Sequence, residues 1–284
     1  MKKILVMKSI IICLILSFFL YNCGEKKKRN SEISNIQTNE EGGAIDEINE
    51  PEWEPGLKIS YQNLSSEKCI DIPKEDWMGE DPNPYCSFSK VKGITIGLND
   101  KNIEKMINNF IFKNLIGFDN ETKKSKTLRE YVNRVKFFQN TEDLLKEEQN
   151  CHLIYSNNRL LNIEISGYSI GYGAAHPINF RKSLNFDLLN GKIVGLNDVL
   201  NVGYVQKIST VVKRNLYREY GSEGWFEFSL TENSSITKEG IYFNYNDYEI
   251  SPYMQGAPSV LVKWSEIKEL LKENPYVDFK QFLN

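Results

Sequence analysis

Residues 151–192 read CHLIYSNNRLLNIEISGYSIGYGAAHPINFRKSLNFDLLNGK, and this stretch decides the fold. Within it, Leu161-Asn162-Ile163-Glu164-Ile165 alternates apolar and polar side chains, the pattern of a strand with one buried face. Asn157-Asn158 separates it from the shorter run Cys151 to Tyr155, so residues 151–172 read as a hairpin. Another long strand is expected from Ile178 to Leu188, closed by Asn190-Gly191, a pair that favours a type I′ turn.

Toward the C-terminus, Leu196–Leu200 reads as a short helix or turn. Val205, Ile208, Val211, Val212 and Leu216 form the apolar stripe of a helix over Tyr204–Tyr220, stopped by Gly221. Short strands are expected at Phe226–Leu230, Ile241–Tyr245 and Val260–Val262, then a helix from Ser265 carrying Ile267, Leu270 and Leu271. Toward the N-terminus, Leu57–Tyr61 and Val91–Ile96 alternate as strands, with the segment Ile72–Pro84 read as loop. Asn99-Asp100 caps a helix with Ile103, Met106, Ile107, Phe110 and Ile111 on one face. A second helical pattern starts near Thr127, with Leu128, Tyr131, Val132, Val135 and Phe138, and is expected to run with a break to Glu148. Antiparallel strands interrupted by helices indicate an α+β domain, an antiparallel sheet with packed helices, rather than a doubly wound parallel sheet.

Residues 1–22 combine Lys2, Lys3 and Lys8 with an apolar run from Ile10 to Leu20, the layout of a secretory signal too short to span a bilayer. It ends Leu20-Tyr21-Asn22-Cys23-Gly24, which resembles a bacterial lipoprotein box with Cys23 as the lipidated first residue. Residues 23–55 are polar and aperiodic and read as a flexible tether. The remainder, 56–284, is one α+β domain with an N-terminal part 56–150 and a C-terminal part 151–284. Removing the three lysines of the leader from a net charge of -3 leaves -6, which gives no footprint for nucleic acid. Export leaves Cys69, Cys86 and Cys151 in a disulfide-permissive setting, so one bridge and one odd thiol are expected. All three pairings are open; Cys69 with Cys86 closes the shortest loop and is favoured.

Catalytic signatures are missing. The chain has only two histidines and no HExxH, P-loop, GxGxxG or CxxC; Gly167-Tyr168-Ser169-Ile170-Gly171 has the GxSxG spacing but falls within an arm of the expected hairpin, not on the strand-to-helix turn of a nucleophile elbow, so no enzyme activity, no metal and no cofactor are expected. Cys151-His152 cannot act as a nucleophile pair, because neighbouring strand side chains point to opposite faces. Glu147-Glu148 reads as surface charge on a solvated helix end. Two irregular segments remain as candidate recognition loops: Gly171-Tyr172-Gly173-Ala174-Ala175-His176-Pro177, and Tyr248 to Pro258, which contains Tyr253, Met254 and Gly256. Glycines beside aromatics let a backbone bend sharply or approach a ligand closely. Tyr172, His176, Tyr253 and Gly256 are the candidate binding residues.

These segments also carry a resemblance. The order Leu161-Asn162-Ile163, Gly171 to Pro177, Leu184-Asn185-Phe186-Asp187-Leu188, Asn190-Gly191-Lys192, Leu196 to Leu200 and Tyr248 to Gly256 resembles the extracytoplasmic domain of RsiV-type anti-sigma factors. The same domain is similar to the non-catalytic N-terminal region of PdaC-type peptidoglycan deacetylases. The resemblance covers roughly residues 57–273 and implies an RsiV-like α+β fold. It also implies binding of a lysozyme-like muramidase at the cell surface, or of peptidoglycan. With a lipid anchor expected in place of the spanning helix and sigma-binding segment, neither an anti-sigma role nor deacetylation is expected to carry over. The expectation is a lipid-anchored envelope binding protein attached to a membrane and facing the periplasm or exterior. The alternative is a structural or adhesion lipoprotein with no soluble ligand.

Overall fold

The alternating runs Leu57–Tyr61 and Val91–Ile96 overlap two thirteen-residue strands that extend beyond them, β1 (Lys58–Ile70) and β2 (Tyr85–Gly97), paired antiparallel along their full length. They belong to a computed structural model that describes residues 56–70, 85–116, 125–138, 145–221 and 224–278. All of these lie in the unit Gly42–Asn284. The leader, the tether with Cys23, and the expected loop Ile72–Pro84 fall outside the described residues. After β2 come α1 (Lys101–Leu115), α2 (Leu128–Asn133) with a 3-10 turn over Arg134–Phe137, and β3 (Leu145–Ser156). The strands β4 (Leu160–Gly171) and β5 (Ile178–Asp187) follow and complete a five-stranded sheet in sequence order. Beyond it lie α3 (Leu196–Val199), α4 (Tyr204–Tyr220) and a three-stranded antiparallel sheet of β6 (Ser234–Ile236), β7 (Gly240–Asn244) and β8 (Ser259–Lys263).

The fold is α+β, with one departure from a purely antiparallel sheet. β2 and β3 run parallel, and the crossover between them carries α1 and α2. Asp100 caps α1 by accepting from the backbone N–H groups of Asn102 and Ile103, as its sequence indicates. Ile107, Ile111 and Leu115 of that helix are buried, whereas Met106 and Phe110 are exposed and Phe110 packs edge-on against Phe186. The second helical pattern stops far earlier than expected. Residues 145–148 are strand, because Glu147 and Gln149 have buried partners across β2 and α2. Since β3 spans residues 150 and 151, the five-stranded sheet joins the N-terminal and C-terminal parts.

Adjacent residues of β4 divide the interior. Leu161, Ile163 and Ile165 pack with α1, α2 and Phe186, while Leu160 joins a second core formed by α4 and the smaller sheet around Ile208, Phe243 and Trp264. The helix over Tyr204–Tyr220 has the expected bounds and ends at Gly221 with φ 87°. Three expected elements differ. Phe226–Leu230 is irregular; the segment from Ser265 forms two 3-10 turns, Trp264–Glu266 and Lys268–Leu270, rather than an α-helix. At Asn190-Gly191 only Gly191 has positive φ, so the turn is not type I′. Instead Asp187 holds it, its carboxylate accepting from the Leu189 N–H and from Asn190 Nδ2.

The outer edge of β5 pairs with side chains instead of a sixth strand. Backbone N–H groups of Asn179, Arg181 and Ser183 donate to Asp247 Oδ2 (2.8 Å), Asn246 Oδ1 (2.7 Å) and Asn233 Oδ1 (2.8 Å). Asn233 Nδ2 returns a bond to the Arg181 carbonyl at 2.7 Å, and Asn185 bridges Ser234 and Ile236 of β6. An exposed edge would template aggregation, and this polar lining satisfies it while joining the two sheets.

Candidate functional site

The β4–β5 connection and the loop after β7 meet beside that edge. Asp247, fixed by the Asn179 N–H and Asn179 Nδ2 (2.9 Å), holds the second loop against β5. The next residue, Tyr248, has φ 65°, the left-handed conformation that an aromatic side chain seldom adopts and that costs on the order of 1–3 kcal/mol. That conformation places its hydroxyl 2.8 Å from His176 Nε2. The His176 ring stacks on Tyr253 with centroids 3.7 Å apart and planes 17° apart, and Tyr248 stacks on Tyr253 at 5.9 Å. His176 Nδ1 lies 3.2 Å from the Pro177 carbonyl. Tyr248 is 44% exposed and Met254 beside Tyr253 is 77% exposed, so the stack reaches the surface.

His176 and Tyr253, candidates from separate segments, are therefore brought together. Tyr172 is half-buried on the same loop as His176. Gly256 serves the backbone: its N–H donates to the Tyr253 carbonyl at 2.8 Å and its φ of 74° closes the 3-10 turn that presents Tyr253. Tyr248 is the member that sequence reasoning did not single out. The signal for it is Asn246-Asp247, a turn-forming pair just before an aromatic residue.

The cysteines resolve as one bridge and one thiol. Cys69 and Cys86 face each other in the β1–β2 register and are disulfide-bonded, and Cys151 is free. Burial pushes the Cys151 thiol up to about 12, the opposite of an activated nucleophile. Burial first, then the Lys92 charge, lowers the pKa of His152. A Glu67 carboxylate oxygen and the two bridged sulfurs lie within 4.8 Å of one another, yet a disulfide sulfur carries no thiolate for a metal. No helix among the described residues is long and apolar enough to cross a membrane.

The described residues thus form a two-sheet α+β scaffold that carries a surface aromatic stack. Residues 197–265, which include Tyr248, Tyr253 and Gly256, match a family described as a protein of unknown function (DUF3298). Two solved structures are similar. One is a DUF3298 family member from Bacteroides fragilis, 16% identical, with TM-score 0.59 over 76% of this chain and 95% of that one. The other is a DUF3298 family protein from Pseudomonas aeruginosa, 18% identical, with TM-score 0.55 and the same coverage. At these identities the likeness concerns the fold. A comparison with curated proteins returns no match.

Proposed function

We propose that this chain is a cell-envelope binding protein, held to a membrane through an acylated Cys23, that recognises a lysozyme-like muramidase or cell-wall glycan through the His176–Tyr248–Tyr253 stack. That stack carries the reading. Large amphipathic rings ordered before contact, with an exposed Met254 beside them, are the side chains that dominate protein interfaces. The strain at Tyr248 is a local cost repaid where a ring must be presented rather than buried. His176 and Tyr253 already cover one face of each other, which favours a protein partner over a sugar that would stack on open faces. The net charge of -6 after removal of residues 1–22 attracts a basic muramidase, so encounter slows as salt rises. The RsiV-like resemblance points to the same ligand class.

Titrating a basic lysozyme and soluble peptidoglycan fragments against the full chain tests the reading, with Tyr253→Ala and Tyr172→Ala run beside it. Truncating an anchor weakens binding by about 1–2 kcal/mol while the melting temperature stays nearly unchanged. A core tyrosine would instead lose about 3 kcal/mol of stability. Absence of binding to both ligands at low salt overturns the proposal. Loss of detergent partitioning in Cys23→Ala checks the anchor separately.

A further inference from the structure

Beside β5 the two sheets leave a cleft of about 260 Å3, lined by Glu164 and Arg181 from the larger sheet and by Ser235, Tyr242, Asn244 and Ser259 from the smaller. Its floor is fixed by internal bonds. Ser235 Oγ and Asn244 Nδ2 both donate to Ser183 Oγ at 2.8 Å, and Ser259 Oγ donates to Asn244 Oδ1. The walls are different. Arg181 Nε stands 3.3 Å from Glu164 Oε2, and its guanidinium makes no closer polar contact among the described residues. Tyr242, whose pKa is raised by burial and then by Glu239 and Glu219, gives its hydroxyl no hydrogen-bond partner among them.

The structural ion pair of the same sheet shows the contrast. Arg159 grips Asp187 through two bonds of 2.8 and 2.9 Å, and that carboxylate also accepts from Tyr276 Oη at 3.1 Å. Arg159 is held by two bonds, whereas Arg181, which lines the cleft, has one ion-pair contact among the described residues, through Nε to Glu164 at 3.3 Å.

We propose that this cleft binds a small hydroxylated carboxylate, in chemical class an acidic sugar. A guanidinium fork matches a carboxylate through two parallel bonds. Glu164 pairs with Arg181 and accepts from Ser166, and when ionised it has lone pairs left, so a ligand that also donates fits better than a bare carboxylate, which calls for hydroxyls. Tyr242 Oη supplies a further donor and acceptor on the facing wall. The volume lies below the range for drug-sized ligands, so a single ring fits and an extended chain does not. This site is separate from the aromatic stack and does not depend on its reading.

The test titrates the full chain with glucuronate and N-acetylmuramate, against glucose, N-acetylglucosamine and acetate, followed by NMR chemical shifts or calorimetry. Both sugar acids should bind saturably with a Kd of about 1 mM, the affinity expected of so few heavy atoms. The neutral sugars and acetate should bind about tenfold more weakly. Arg181→Lys keeps the charge but loses the fork and should weaken the acids about tenfold. Should Arg181→Lys fail to fold, Tyr242→Phe, which removes a hydroxyl with no internal partner, carries the same test with an affinity loss of a few-fold. Equal binding of neutral and acidic sugars, equal binding of acetate, no binding of either acid, or unchanged affinity in both variants would overturn the proposal.

Discussion

Replacing Glu147 separates two accounts of one carboxylate. Were it the solvated charge that its sequence suggests, Glu147→Gln and Glu147→Ala would shift stability by no more than about 0.5 kcal/mol. In the structure Glu147 is 4% exposed on β3. Its Oε2 lies 2.6 Å from Arg134 Nη2 and accepts from Tyr131 Oη at 3.1 Å, and Oε1 accepts from Ser89 Oγ. Arg134 stacks over the Tyr131 ring at 3.8 Å, and Gln149 Nε2 donates to Tyr131 Oη at 2.6 Å. The carboxylate thus ties β2, β3 and α2 together. Glu147→Ala strands a largely buried guanidinium, and removing one partner of a buried pair costs about 3–5 kcal/mol. Glu147→Gln preserves volume and part of the bonding and should cost about 1.5–3 kcal/mol, the range for hydrogen bonds to charged groups. Against a domain stability of roughly 5–15 kcal/mol, either loss is large. Urea unfolding at neutral pH reads both as a lower midpoint at constant slope. Arg134→Leu should cost less in the Glu147→Gln background than alone, with a coupling of about 1 kcal/mol or more. Shifts under about 0.5 kcal/mol in both Glu147 variants would refute the buried network.

The disulfide closes a loop with a sequence separation of 17, for which chain entropy gives about 3 kcal/mol. The paired replacement Cys69→Ser with Cys86→Ser should lower unfolding free energy by that order in urea, and a loss under about 1 kcal/mol would mean that the β1–β2 ladder alone restrains the loop. At Asp187, burial pulls the carboxyl upward, but Arg159, the Leu189 N–H and Tyr276 outweigh it and the net pKa is lowered. A lowered folded-state pKa contributes stability that is present above the unfolded value of about 3.9 and lost as pH falls through the folded one. The stability that Asp187 contributes should therefore be constant above about pH 5, where Asp187→Asn loses it, and the variant should flatten the loss of stability below about pH 4. An unchanged acid slope in that variant would sink the assignment.

The sequence by itself determined the elements whose signals are local. Period-two alternation located β4 and parts of β1 and β2, the 3.6-residue stripe located α4, and Asp100 set the start of α1, because side-chain direction follows backbone periodicity. Counting cysteines anticipated one bridge, and favouring the shortest loop selected the pair that is joined. His176 and Tyr253 stood out because glycine-rich aromatic loops are local features. What only the tertiary structure decided are relations between distant segments. Leu145–Glu148 extends as strand because the parallel partner β2 lies far away in sequence, and the buried charges on Arg134 and Glu147 satisfy each other only once α2 lies over the sheet. Tyr248 enters the stack through a positive φ held by Asp247 on Asn179, a contact spanning 68 positions. The polar edge of β5 and the cleft that holds Arg181 beside Glu164 arise in the same way. Local propensity says how a segment prefers to run, but whether a polar side chain is solvated, paired or left available depends on what the rest of the chain brings against it.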